Sequence, residues 1–213
     1  MNEKVGILGS GDVAQTLARG FKKKAYDVRI GTRNPEKLAS FSREAGVPAG
    51  TFQAVAEHGD VLVLAVKGTA ALSVLEMAGA AALAGKLVID TTNPIADAPP
   101  DQGILRYFTE PNRSLMETLQ DKYSKARFVK AWNSVGHALM VDPKLGGGPP
   151  TMFYCGNDRE AKSTVVRILE EFGWRAEDIG GAPGARALEP LCQLWCAPGF
   201  LRNEWSHAFK VLR

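Results

Sequence analysis

The chain predicts a doubly wound, mostly parallel α/β sheet with a C-terminal α/β extension that ends in helix. Three observations predict it. Short apolar runs alternate with helix-period segments along nearly all of the 213 residues. Residues 60–66, DVLVLAV, are apolar with almost no alternation, as in a strand buried on both faces of a parallel sheet. The first run, Val5 to Leu8, passes directly into a glycine-rich turn and then a helix pattern.

That first turn reads Gly9-Ser10-Gly11-Asp12-Val13-Ala14, a G-x-G-x-x-A spacing. Gly9 lets the chain leave the strand in a tight turn, and Gly11 removes a side chain that would block a pyrophosphate. Ala14 is small enough for the helix to pack closely on the strand. The helix start then offers free N–H groups and a positive dipole end to phosphates. Gly9, Ser10, Gly11, Asp12 and Val13 are therefore candidate dinucleotide contacts, and the sheet is of the Rossmann type.

The second strand, Val28 to Gly31, ends in Thr32-Arg33. An NAD site usually carries an acid there, about 20 residues past the glycines, for the ribose 2′-hydroxyl. Here a guanidinium and a hydroxyl suit a 2′-phosphate instead, and Lys37 adds charge one turn into the next helix. Thr32, Arg33 and Lys37 read as NADP(H) contacts.

The remaining elements follow in order. Asn34-Pro35 opens a helix to about Ala45, and a short strand is expected near Thr51-Phe52. After the 60–66 strand come a helix over roughly 70–83 and a strand at 86–90 that ends in Thr91-Thr92-Asn93-Pro94. Ala96 to Arg113 reads as loop, a helix starts near Ser114, and a strand at 127–131 leads to Asn133-Ser134-Val135-Gly136-His137. Beyond the glycine run 146–150, a strand at 151–155, a helix at 159–172 and a strand at 174–178 are expected. Residues 184–213 look helical, interrupted at Pro198-Gly199. The expectation is a single domain over 1–213, with a dinucleotide-binding core at 1–145 and an extension at 146–213.

Composition excludes several classes. A net charge of +3 is too small to argue for nucleic acid. The most apolar stretch, Val61 to Leu83, is broken by Lys67 and Glu76, so no membrane span is expected. Met1 to Lys4 runs straight into the first strand with no leader pattern, which suggests a cytoplasmic protein. Three cysteines make no disulfide framework. Cys192 and Cys196 share a helix face, and all three read as buried, unreactive thiols in a reducing compartment. No metal-ligand set is visible.

Lys22-Lys23-Lys24 and His58 sit at helix ends, where cations suit the dipole. His207 reads as a surface or packing residue of the terminal helix, and Glu189 as a stabiliser in that helix's first turn. Leu191, Leu194, Trp195, Phe200, Leu201, Trp205, Phe209 and Leu212 make that segment unusually apolar. Either a homodimer seam or packing on the sheet accounts for it.

In such sheets ligands bind at the carboxyl ends of the strands. That nominates Gly9 to Val13, Thr32-Arg33, the turn after Val66, Thr92-Asn93-Pro94, and Asn133 to His137, all around one crevice. His137 either polarises an acceptor there or serves packing and capping. No triad or metal is needed for hydride transfer, because the chemistry belongs to the cofactor and the protein supplies position.

The fingerprint, GTRNPEKL, DVLVLAV, VIDTTNP, VKAWNSV, FYCGNDREAK and ALEPLCQL occur in this order. Together they resemble the F420-dependent NADP oxidoreductase family, and are similar to the NADPH-binding domain of the STEAP metalloreductases. The resemblance implies NADPH along the first half of the sheet, with a flavin or deazaflavin ring stacked near the nicotinamide. It implies nicotinamide contacts from Ala65, Val66 and Lys67, and acceptor contacts from Asn93, Pro94, Asn133, Ser134 and Val135, beside His137. The function so implied is hydride transfer between NADP(H) and F420, FMN, FAD or a small acceptor. A non-catalytic NADP(H)-binding module and an imine or carbonyl reductase stay open as alternatives.

Overall fold

A computed structural model describes residues 3–213. Eight strands form one sheet in the order β3-β2-β1-β4-β5-β6-β7-β8. They are β1 (Lys4–Leu8), β2 (Asp27–Gly31), β3 (Ala49–Gly50), β4 (Val61–Leu64), β5 (Leu87–Asp90), β6 (Arg127–Lys130), β7 (Thr151–Gly156) and β8 (Arg175–Asp178). All neighbouring pairs are parallel except β6 and β7. The chain winds outward from β1 through β2 to β3, then returns to add β4 on the other side of β1. The switch point between β1 and β4 is where such a sheet opens a crevice.

The helices are α1 (Asp12–Lys23), α2 (Ala39–Ala45), α3 (Phe52–His58), α4 (Ala71–Ala78), α5 (Ala80–Leu83), α6 (Leu115–Lys122), α7 (Arg159–Glu171) and α8 (Ala185–Arg202). They cover both faces of the sheet, which is why β4 is apolar throughout and β1 and β5 are apolar except at one end. Alternate residues of each strand serve opposite cores. Val5, Ile7, Val61, Val63 and Ile89 meet Leu17, Phe21, Ile168 and Phe172 of α1, α7 and the turn that ends α7. Leu8, Leu62, Leu64 and Val88 meet Val55, Leu75, Leu119 and Leu188 of α3, α4, α6 and α8.

Several boundaries differ from expectation, each for a local reason. The third strand is Ala49–Gly50, not Thr51-Phe52, because the Thr51 hydroxyl accepts the Ala54 N–H at 3.2 Å and caps α3. The expected helix over 70–83 is two helices, broken at Gly79 with φ +88°. The last segment is not helical to its end. α8 runs through both Pro190 and Pro198 and stops at Asn203, whose φ of +57° is a left-handed cap.

Residues 203–213 form no helix. Trp205 folds back onto the bare backbone of Gly199, where a Cβ would lie 2.4 Å from its ring. Further on, the Thr151 N–H donates to the Phe209 carbonyl at 2.8 Å, so the tail borders the start of β7. His207 belongs to this tail. Its ring stacks on Trp195 at 5.1 Å between centroids, and its carbonyl accepts the Trp195 Nε1–H. Among the described residues no helix is long and apolar enough to cross a membrane.

Candidate active site

A cleft of about 990 Å³ opens at the carboxyl ends of β1, β2, β4 and β5. Ser10, Gly11, Asp12 and Val13 line it from the turn into α1, and Arg33 from the end of β2. Ala65, Val66 and Lys67 line it after β4, Thr91, Thr92 and Asn93 after β5, and His137 from the short turn His137–Leu139. The sequence nominated most of these, and the fold brings them to one space.

Two glycines bring the strand ends together. Gly9 has φ +148°, and a Cβ on it would lie 2.0 Å from the Ala65 carbonyl oxygen. Gly68 likewise leaves no room for a Cβ, which would fall 2.0 Å from the Asn93 carbonyl oxygen. So the β1 turn abuts the end of β4, and the β4 turn abuts the loop after β5.

Gly11 is different. Its φ is −79°, open to any residue, and a Cβ there would meet nothing within 4 Å. Neither fold nor backbone conformation requires glycine at this position. The space it leaves belongs to the cleft, at the start of α1. No side chain caps that helix start, so its first N–H groups face the same space with no side-chain acceptor. A bare backbone, uncapped amides and the Arg33 guanidinium on one wall fit a phosphorylated dinucleotide.

Other nominated residues sit elsewhere. Thr32 is buried, and its hydroxyl accepts the Asn34 N–H at 3.4 Å, so it shapes the turn that carries Arg33. Lys37 is exposed on the turn Pro35–Leu38, outside the cleft lining. Gly9 and Pro94 also fall outside the lining, Gly9 as the buried turn beneath it.

The acceptor contacts expected of Asn133, Ser134 and Val135 need correction. All three are buried, at 4%, 3% and 7% exposure, and none lines the cleft. The cause is local. Trp132 leaves β6 with φ +56°, a costly conformation for a bulky residue. Its indole is fully buried against Phe21 and Phe172, which offsets that cost. The turn drives Asn133 inward, where its Nδ2 donates to the Leu188 carbonyl at 2.7 Å. Ile95, Ala96, Asp97, Ala98 and Pro99 line the cleft instead, the last four within the segment from Ala96 to Arg113 that the sequence marks only as loop. Lys67 and Asp97 face each other across the cleft mouth at 3.7 Å, both largely exposed.

Beneath the cleft lies a charge cluster that the sequence reading missed. Lys130, with no exposed surface, sits 2.9 Å from Asp90 and 3.1 Å from Glu189. Burial pushes the Lys130 ammonium down, but the two carboxylates outweigh it, and its pKa lies above the ordinary lysine value. Glu189 does not stabilise the first turn of its own helix. Its carboxylate accepts the Leu115 and Met116 N–H groups at 2.9 and 3.0 Å and so caps α6. A signal was available: Lys130 and Asp90 end apolar strands and are register partners.

The cysteines, His58, Lys23 and Lys24 lie outside the cleft lining. Burial pushes the Cys155 thiol up to about 12, and it lies outside the cleft. Cys192 and Cys196 sit with sulfurs 4.0 Å apart; that contact lowers the Cys196 pKa and raises that of Cys192. His58 is tied to the Asp27 carbonyl at 3.2 Å, and Lys23 and Lys24 each pair with Asp142 at 2.8 Å.

Comparison with known proteins shows the family of the chain. The model of the family described as NADP oxidoreductase, coenzyme F420-dependent, matches residues 4–94, which carry the glycine turn, Arg33 and Asn93. The F420-dependent NADP reductase of Methanocaldococcus jannaschii is 29% identical over 204 residues, covering 90% of each chain. Metalloreductase STEAP3 of Rattus norvegicus is 32% identical over 191 residues, 88% of this chain. The chain spans only 36% of that metalloreductase's length. A crystal structure from Arthrobacter sp. FB24, described as a candidate F420-dependent NADP reductase, superposes with a TM-score of 0.92 at 30% identity, covering all of both chains. The chain belongs to this family of F420-dependent NADP oxidoreductases.

Proposed function

We propose that the chain transfers a hydride between NADP(H) and a planar acceptor of the deazaflavin or flavin class, with F420 the first to test. The observation that carries the reading is Gly11, a glycine that only a ligand requires, on the same cleft as Arg33. The amides of Ser10 to Val13 would hold the pyrophosphate, and Arg33 the 2′-phosphate. Bound NADPH supplies the hydride from its nicotinamide ring. The rest of the work is position: Ala65, Val66 and Lys67 would border the ring on one side. Thr91 to Asn93 form the cleft floor, and Ile95 to Pro99 a largely apolar wall suited to a flat acceptor. His137 borders the same space and would meet the cofactor or the acceptor edge.

Anaerobic NADPH oxidation in the presence of F420, FMN and FAD tests the reading. Turnover with one of them supports it. Binding of NADPH with turnover only on imines or carbonyls would favour the reductase alternative. Binding without any turnover would favour a non-catalytic module.

We also infer a homodimer through α8. Leu194 and Leu201 are 60% and 57% exposed on that helix, and Ile104 and Phe108 are further exposed apolar side chains. Sedimentation of wild type against Leu194→Glu tests it: a dimer that becomes a monomer supports the seam. Three free thiols suit a reducing cytoplasm.

A further inference from the structure

We propose that Glu189 is a positioning residue for the hydride-transfer end of the cleft, an assignment that rests on the reading of the cleft given above. Glu189 is 2% exposed and touches no part of the cleft surface. It nevertheless holds both the floor and the wall of that end, one through its side chain and one through its backbone.

The floor is held through charge. Glu189 sits 3.1 Å from the Lys130 ammonium, which donates to the Thr92 carbonyl at 2.6 Å and pairs with Asp90. Asp90 Oδ1 in turn accepts the Thr92 N–H at 2.9 Å and the Thr92 hydroxyl at 2.7 Å. Every polar group of Thr92 is thereby fixed, and Thr92 lies between Thr91 and Asn93 on the cleft floor. The wall is held through the backbone. The Glu189 carbonyl accepts the Tyr107 hydroxyl at 2.6 Å. Tyr107 bridges to Ile95, and the Arg106 carbonyl accepts the Ala96 N–H at 2.8 Å. Ile95 and Ala96 begin the wall.

The charges of the cluster largely offset one another. Two carboxylates face one ammonium and the positive end of α6, whose first N–H groups Glu189 also accepts. A buried ion cluster is often no more stabilising than apolar packing of the same volume, and the role we assign to this one is to fix geometry. Arg33 and Gly11 lie on other elements and share no hydrogen bond with it. The two ends of the cleft are therefore separable by experiment.

The test compares binding of NADPH with that of 2′,5′-ADP, which carries only the 2′-phosphate end, in wild type, Glu189→Gln and Tyr107→Phe. Calorimetric titration gives both affinities, and stopped-flow mixing with F420 gives the transfer rate. Both variants are expected to keep the 2′,5′-ADP affinity within about twofold, as for a site without shared partners. The margin by which NADPH binds more tightly than 2′,5′-ADP is expected to shrink by about tenfold in Glu189→Gln. Transfer is expected to slow by about 10- to 100-fold, as for a small misplacement of reacting atoms. Tyr107→Phe removes only the hydroxyl that the Glu189 carbonyl accepts, so it tests the wall arm by itself, and an unchanged margin there overturns that arm even if Glu189→Gln does not fold. An unchanged margin in the folded variants overturns the assignment. Wild type that binds NADPH but reduces no acceptor sinks the functional reading, while the binding margin still judges Glu189.

Discussion

Asn93 and Asn133 hold each other across the ends of β5 and β6. Asn133 Nδ2 donates to Asn93 Oδ1 at 3.0 Å, and Asn93 Nδ2 donates to the Asn133 carbonyl at 2.7 Å. Since Asn133 also reaches the Leu188 carbonyl, one amide joins the cleft floor to α8. Asn133→Ala should leave the buried Leu188 carbonyl and the half-buried Asn93 Oδ1 without their donor, at a cost of about 1–3 kcal/mol. Urea unfolding would measure it. A loss under about 0.5 kcal/mol would mean the lock is not holding the loops. By the same placement, a bulky residue at the buried Ser134 should reduce stability rather than block an acceptor selectively.

Arg33→Ser should weaken NADPH binding far more than NADH binding. A charge-assisted pair contributes roughly 1.5–3 kcal/mol, or about 10- to 100-fold in affinity. Equal losses for the two cofactors in parallel titrations would remove Arg33 from the 2′-phosphate site.

Gly11→Val should abolish binding of both cofactors and leave the fold intact. The methyls enter space that no protein atom uses, at an ordinary φ. The thermal midpoint should fall by only a few degrees, about the effect of a poorer helix cap. Retained NADPH affinity in this variant would put the cofactor elsewhere.

Acid stability should depend on Glu117. Its pKa is held at about 2 by the Arg186 guanidinium, against the pull of burial and with help from the Ser114 N–H and hydroxyl. The folded value lies below the unfolded one. The stabilisation is therefore complete above the ordinary carboxylate range and is lost as pH falls toward about 2. Arg186→Met should flatten that part of the stability profile, measured as unfolding midpoint between neutral and acid pH. An unchanged acid limb would show that the pair is not the source.

How far the sequence reaches follows from range. The glycine turn, Arg33 and the apolar strands are legible because each acts over a few residues: a tight turn, a charge at a strand end, a continuous buried run. Ser114 and Glu117 form a capping box at the spacing the motif requires, and the helix start near Ser114 was read correctly. The acceptor side was not legible. Whether Asn133 faces the cleft or the core depends on the left-handed turn at Trp132, which rests on Phe21 and Phe172 far away in sequence. The role of Glu189 depends on α6 lying beside α8, and the wall at Ile95 to Pro99 on a loop pinned by Tyr107 and Gln193. The tail after Asn203 has the composition of a helix, but Trp205 and His207 pack back on Trp195.

The most direct measurement follows deuterium. NADPH deuterated at the transferable position of its nicotinamide ring is mixed anaerobically with the protein and F420, and the reduced acceptor is analysed by mass spectrometry. The deazaflavin carbon that receives a hydride does not exchange with water, so deuterium transferred as deuteride stays where it lands. The expected result is reduced F420 carrying one deuterium for each NADPH oxidised. Reduced F420 without deuterium, or NADPH bound and never oxidised, would contradict direct hydride transfer across this cleft.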